Sequence, residues 1–430
     1  MTWTLLRRVL EDRNPARVAL LFFVGLALWF ICRTSHVSID GVRYFQLFDD
    51  AMVSMRYAAN IVDHGVAEFN LGERIEGYTN PLWVALMALA YWVSGTIYAP
   101  LVIQLVGGIC AGSAIYLYGR ILGRDCPELR NLAVWLLVLC YPLLYFSVFG
   151  MENSLLALLV ALQVAVLGRQ SPYLQGALVS AAYLVRPDAI LVSALIACLS
   201  LAEARRCARA MVPVAMVIVA VLGARYWYYG RFVPNTYVLK MGGGSLPWRL
   251  YNGSIFVLPF LATHAFVIYY ALHLLLAKAR TPAERKWSGL FGVGMAQVGY
   301  LIYVGGDGWQ YWRHLSHVLP LLIVPALMGL RLKLRKQAAA VSRRKTVAIA
   351  MLSLSLLPNL KYLPEMVGAR SVFLVAQQNR LIDYSVAINS LEPGADFSML
   401  VFWAGVQGYL VRARVVDALG KVDAKISFSS

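Results

Sequence analysis

Val18-Ala19-Leu20-Leu21-Phe22-Phe23-Val24-Gly25-Leu26-Ala27-Leu28-Trp29-Phe30-Ile31-Cys32 is an unbroken apolar run that follows Arg7, Arg8, Arg13 and Arg17. Crossing a hydrocarbon layer about 30 Å thick takes about 20 residues, so this run and its flanks can span one. A cleaved leader also starts basic and then turns apolar, but no small-residue cleavage site follows Ile31. We therefore expect a retained first membrane helix with its basic end in the cytoplasm. Further runs, Leu101 to Leu117 and Leu315 to Leu330, carry the same signal.

The whole chain agrees with that start. Of its 430 residues 60% are hydrophobic and 14% charged, far below the roughly one quarter charged residues of a soluble domain. The net charge of +17 could suggest nucleic acid, but no basic stripe with interleaved aromatics lies on a soluble segment, and no nucleic-acid partner is expected. Cys32, Cys110, Cys126, Cys140, Cys198 and Cys207 lie in apolar runs or short basic loops without a CxxC pair. Neither a disulfide framework nor a zinc site follows from that spacing.

Short cytoplasmic loops carry excess Lys and Arg, and this rule orders the spans. Counting Pro81 to Ile97 as a span would put Arg120, Arg124 and Arg130 outside, so we read it as a re-entrant or juxtamembrane helix on the outer face. Spans are then expected near 16–34, 99–119, 131–148, 151–168, 172–186, 188–202, 210–228, 252–277, 287–304, 315–330 and 346–360. This is an all-α polytopic protein with about eleven transmembrane helices, its N-terminus in and its C-terminus out. The expected division is a membrane domain over 1–360, with a first outer loop at 35–98, and a small α+β outer segment over 361–430. In that segment we expect a helix from Ser371 to Leu391, a turn at Pro393-Gly394, and β-rich runs Phe397 to Trp403 and Tyr409 to Val416.

The polar residues gather on the outer side. The first loop holds Phe48-Asp49-Asp50, then Glu76-Gly77-Tyr78-Thr79-Asn80-Pro81. Adjacent carboxylates raise at least one pKa, which suits a general base or a stabiliser of a developing cation, whereas Asp is also favoured as a helix N-cap. We expect Asp49 to be the base and Asp50, nearer the helical run, to cap it. Glu152, the Arg186-Pro187-Asp188 break, Pro234-Asn235-Thr236 and Gly305-Gly306-Asp307 fall at outer helix ends, where ionisable groups are costly unless they serve a purpose. Arg186 and Asp188 fit either a structural ion pair or a ligand contact. Trp309, Tyr311 and Trp312 fit either an interfacial belt or a wall against a sugar ring. Arginine donates a planar fork to phosphate, so Arg313 is the first choice for phosphate capture, with His314, Arg231 and Lys240 behind it. His314 and His317 share a helical face without a carboxylate at metal-ligand spacing. No metal ligand is assigned, and a divalent cation lacks support in the sequence. A transporter would need ionisable residues near mid-membrane and paired broken helices in related halves, and neither pattern is present.

The ordered set Phe48-Asp49-Asp50 to Asn60, Phe69-Asn70 to Trp83, Gly150-Met151-Glu152, Arg186-Pro187-Asp188, Pro234-Asn235-Thr236, Gly305-Gly306-Asp307 and Asp417-Ala418-Leu419-Gly420-Lys421-Val422-Asp423 resembles the terminal arabinofuranosyltransferases of the GT-C class. Lys421 departs from the pattern, standing where an apolar residue is expected. The short stretch after Asp423 looks more like the members that modify type IV pilin than the arabinan-modifying ones. The resemblance implies a polyprenyl-phosphate arabinofuranose donor, an acceptor hydroxyl on a pilin or an envelope glycan, and an inner-membrane location with an extracytoplasmic active site. It also implies Asp49 and Asp50 as catalytic candidates. Glu76, Tyr78, Asn80, Glu152, Arg186, Asp188, Asn235, Asp307 and Trp309 are the candidates for sugar or acceptor contact. Mannosyl or aminoarabinosyl transfer by the same class is the alternative.

Overall fold

The computed structural model describes residues 15–242, 244–277, 281–335, 357–391, 397–411, 413–423 and 426. Helices dominate it, as an apolar solvent demands of a backbone that must satisfy its own polar groups. Among the described residues three helices, Pro15–Thr34, Pro81–Asp125 and Ala204–Tyr229, are long and apolar enough to cross a membrane. Three bent pairs, broken by 54°, 82° and 79°, raise the number to six if each is one span. By length and composition the described residues thus account for three to six of the eleven expected spans. The expected span 252–277 breaks at His264, between Leu246–Thr263 and Ala265–Leu275. Asn153–Ala165, Pro172–Val185 and Ile190–Leu201 have 13, 14 and 12 residues, short of a full crossing. The span expected at 346–360 falls mostly outside the described residues.

Pro81–Asp125 joins the expected juxtamembrane helix to the following span. The break lies at Gly95, whose φ of 68° and ψ of −177° interrupt the helix, a conformation open to a residue without Cβ. Lipid-facing character is visible in Leu21, Trp92, Ile109, Val219 and Trp227, which expose 72%, 72%, 68%, 69% and 82% of their surface. Apolar area on that scale is not left in water.

The C-terminal segment packs on the loop between the first two long helices, through Ser38, Leu47 and Asn70. Its elements are a helix Val375–Leu391, strands Ser398–Val401 and Arg414–Asp417 paired in parallel, and a crossover helix Ala404–Leu410 between them. The expected run Tyr409 to Val416 is thus divided, because Tyr409 belongs to the crossover helix and only Arg414–Asp417 is strand. The expected turn at Pro393-Gly394 lies outside the described residues. Polar side chains tie the segment down. Asn70 donates to the Val415 carbonyl at 2.9 Å and accepts from its N–H at 3.0 Å. Gln378 donates to the Leu47 carbonyl at 2.8 Å, and Asp383 accepts from Ser38 at 2.6 Å.

Candidate active site

The helix Asp49–His64 starts at Asp49, and its N-cap is Phe48, without a side-chain cap. Neither aspartate caps the helix, so the capping role expected for Asp50 is not realised. Both stand in the first turn, where the helix dipole favours negative charge, and they point to different surroundings.

Asp49 is buried and accepts the Gly405 N–H at 3.1 Å. A Cβ on Gly405 would lie 2.2 Å from the Asp49 carbonyl oxygen. Two backbones in contact cannot yield as a side-chain tip can, so Gly405→Ala should cost about 2–3 kcal/mol of stability, at the upper end for overpacking. Thermal unfolding in detergent together with proteolytic release of the C-terminal segment would measure it. Burial pushes the Asp49 carboxyl up to about 7, with Lys421 opposing and the Asp50 charge adding to the rise. Between the ordinary value of 3.8 and about 7 the folded chain holds this proton and the unfolded chain does not. That contribution to stability is complete below 3.8 and is lost as pH rises to about 7. An Asp49→Asn protein should lack this part of the pH dependence when melting is followed across the window.

Asp50 instead meets two cations. Arg313 reaches its Oδ2 and Lys421 reaches its Oδ1. Its burial opposes ionisation, but Lys421 and then Arg313 outweigh it and hold the carboxyl well below the usual range. The side chain keeps 22% of its surface open, whereas Asp49 is 1% exposed. Asp50 is therefore the ionised and reachable member of the pair.

Behind Asp50 the ion pairs run on as a chain. Arg313 forks onto Asp307 at 2.6 Å from Nε and 3.0 Å from Nη2. His314 Nε2 lies 3.5 Å from Asp307, and its Nδ1 is 2.8 Å from Arg186 Nη2. Arg186 donates to Glu152 at 2.6 Å and to Asp188 at 2.9 and 3.1 Å. Asn80 closes the row, donating to Glu152 at 3.1 Å and accepting from Ser54 at 3.2 Å. Seven residues expected at the site, Asn80, Glu152, Arg186, Asp188, Asp307, Arg313 and His314, thus meet in one network with Asp50. Arg186 stands at its centre, paired with Glu152, Asp188 and His314.

The turn that delivers Arg313 is held under tension. Tyr311 and Trp312 have φ of 69° and 50°, a region that bulky residues occupy only when surroundings force them. Glu365 accepts the Tyr311 hydroxyl at 2.6 Å and the Tyr141 hydroxyl at 2.8 Å, and Asn153 holds the Arg313 carbonyl. Glu365 was not among the expected residues, because its partners lie over 200 positions upstream or across a long gap in sequence.

Trp309 packs edge-on to Phe48, the neighbour of Asp49, at 5.0 Å and to Trp403 at 5.6 Å, with the Lys421 ammonium that reaches Asp50 at 6.0 Å from its ring. A second polar region lies next to the Lys421 loop. There Glu76 pairs with Arg225 at 2.9 Å, and Tyr78 meets Tyr229 at 3.3 Å. Asn235 donates to the Gly420 carbonyl at 2.8 Å. Arg74, Glu76, Tyr229, Arg231 and Asn235 line a cavity of ≈ 170 Å³. The side chain of Lys240 lies outside what the structure describes. Among the described residues no group of three His, Cys, Asp or Glu could hold a metal ion. His317 is buried, with neither ring nitrogen hydrogen-bonded.

No family model matches the chain. A terminal beta-(1->2)-arabinofuranosyltransferase of Mycobacterium tuberculosis is 29% identical over 262 residues, covering 54% of this chain and 41% of that protein. The chain thus spans less than half the length of this relative. Among solved structures, ArnT from Cupriavidus metallidurans bound to undecaprenyl phosphate aligns with a TM-score of 0.55 at 11% identity, covering 95% of this chain and 87% of that one. The Archaeoglobus fulgidus oligosaccharyltransferase aligns at 0.51 and 11% identity over 94% of this chain and 65% of that one. The chain shares the GT-C fold of these two proteins, and three of its described helices are long and apolar enough to cross a membrane.

Proposed function

We propose that this protein is a glycosyltransferase that moves arabinofuranose from a polyprenyl-phosphate donor to an acceptor hydroxyl on a pilin or an envelope glycan. The observation that carries the reading is Asp50, an ionised and partly open carboxylate between two cations and beside an aromatic wall. A sugar transfer from a lipid phosphate needs those groups together. The acceptor oxygen bonds to the anomeric carbon while the bond from that carbon to the phosphate oxygen breaks. The hydroxyl proton passes to Asp50, and the lipid phosphate leaves with the electron pair. Trp309 would bear on the sugar face, and the cations would receive the phosphate charge. Asp50 takes the role of base, because Asp49 is enclosed beneath Gly405.

The donor class is supported by the fold shared with a protein solved with undecaprenyl phosphate. Arabinofuranose is supported by the partial likeness to the mycobacterial transferase and by the ordered motifs. We place the reaction on the outer face of an inner membrane with the N-terminus in the cytoplasm, following the charge distribution. The mannosyl or aminoarabinosyl alternative is separated by experiment. Purified protein in lipid nanodiscs would be given radiolabelled polyprenyl-phosphate sugars one at a time with an arabinan oligosaccharide or a pilin. Label should reach the acceptor from the arabinofuranose donor alone, and transfer only from another sugar would move the assignment to that sugar.

A further inference from the structure

We propose that Lys421 is a donor-sensing positioning residue, masking Asp50 in the resting protein and crossing to the donor phosphate when the lipid enters. This rests on the polyprenyl-phosphate reading of the site. A carboxylate held by two cations is a weak base, so Asp50 must lose one of them before it can take a proton from a hydroxyl.

The two cations are not equally free to leave. Arg313 is forked onto Asp307, keeps 6% of its side-chain surface open, and sits on a turn fixed by Asn153 and Glu365. Lys421 makes one point contact through a flexible stem and keeps 23% open. Its backbone, by contrast, is fixed. Asp417 accepts the N–H groups of Leu419 at 3.0 Å, Lys421 at 2.7 Å and Val422 at 3.3 Å, and Asn235 holds the Gly420 carbonyl. The fold thus anchors the loop and leaves the ammonium to swing. Its nitrogen lies 6.0 Å from the Trp309 ring, against the wall proposed for the sugar, so a phosphate linked to that sugar would come within reach. The donor phosphate is a diester with a single negative charge, equal to that of Asp50, and it can take the ammonium because Arg313 still holds the carboxylate that the lysine leaves. Asp50, Asp49 and Asp417 act on Lys421 as carboxylates and Arg313 as a like charge, and Arg313 still reaches Asp50 when the lysine leaves.

A double-mutant cycle on donor affinity tests this, with polyprenyl phosphate in nanodiscs as the probe. Lys421→Met should weaken binding about 10- to 100-fold, the range for losing a charged hydrogen bond, and Lys421→Arg should restore most of it. Asp50→Asn should tighten binding in the parent, because the ammonium no longer has to be drawn away. The gain should be clearly smaller in the Lys421→Met background, where only Arg313 and the lost carboxylate charge contribute. Equal affinity of parent and Lys421→Met, or an Asp50→Asn effect of undiminished size without Lys421, would overturn the proposal. Absence of polyprenyl-phosphate binding by the parent would instead overturn the donor class itself.

Discussion

Asp50→Asn should abolish sugar transfer, with turnover falling at least 10² to 10⁴-fold, while the protein folds and binds donor at least as tightly as the parent. A positioned base contributes about that factor, and the amide keeps the shape but not the charge. If the reaction proceeds with retention, the carboxylate would stabilise or trap the sugar cation, and the charge is needed again. Asp49→Asn should be milder in turnover, since that carboxyl touches Gly405 rather than open space. Single-turnover transfer with labelled donor separates the two. Near-parental rates from Asp50→Asn would remove it from the chemistry and turn attention to Asp49 and Glu152.

Arg186→Met should be the most damaging change to folding. The guanidinium serves Glu152, Asp188 and His314, and its removal strands the buried Glu152 carboxylate and leaves the less enclosed Asp188 without its main partner. Breaking a buried pair from one side costs about 3–5 kcal/mol. The variant should melt well below the parent in detergent or fail to accumulate. Adding Glu152→Gln should recover part of the loss, because one uncompensated charge disappears. A parental melting temperature in Arg186→Met would show that the network carries little of the stability.

The sequence was informative where chemistry is local. Apolar runs, basic loops and the Arg186-Pro187-Asp188 break were readable because each depends on neighbours in the chain. The break between juxtamembrane helix and span was placed by charge alone and falls at Gly95, two residues before the predicted end. Bends at His264 and after Ser316 were not readable, since an apolar run gives no period that shows where two helices meet at 82° or 79°. Roles within the site were the least legible. Asp49 and Asp50 are adjacent and chemically alike, and what separates them is Gly405, Arg313 and Lys421, residues more than 250 positions away. Arg313, the first choice for phosphate, also forks onto Asp307 six positions before it, a partner its own motif did not single out. Lys421 announced itself only as a misfit in an otherwise matching motif. The misfit became intelligible once the tail was seen folded onto the first loop.

A structure of the protein with a non-hydrolysable phosphonate analogue of the arabinofuranosyl lipid tests the account most directly. The account predicts the phosphonate against the Lys421 ammonium, the sugar ring against Trp309, and Asp50 released from Lys421 and facing the anomeric carbon with an acceptor-sized gap between them. A phosphonate seated in the cavity of Arg74 and Arg231, with Asp50 still held by both cations, would contradict it.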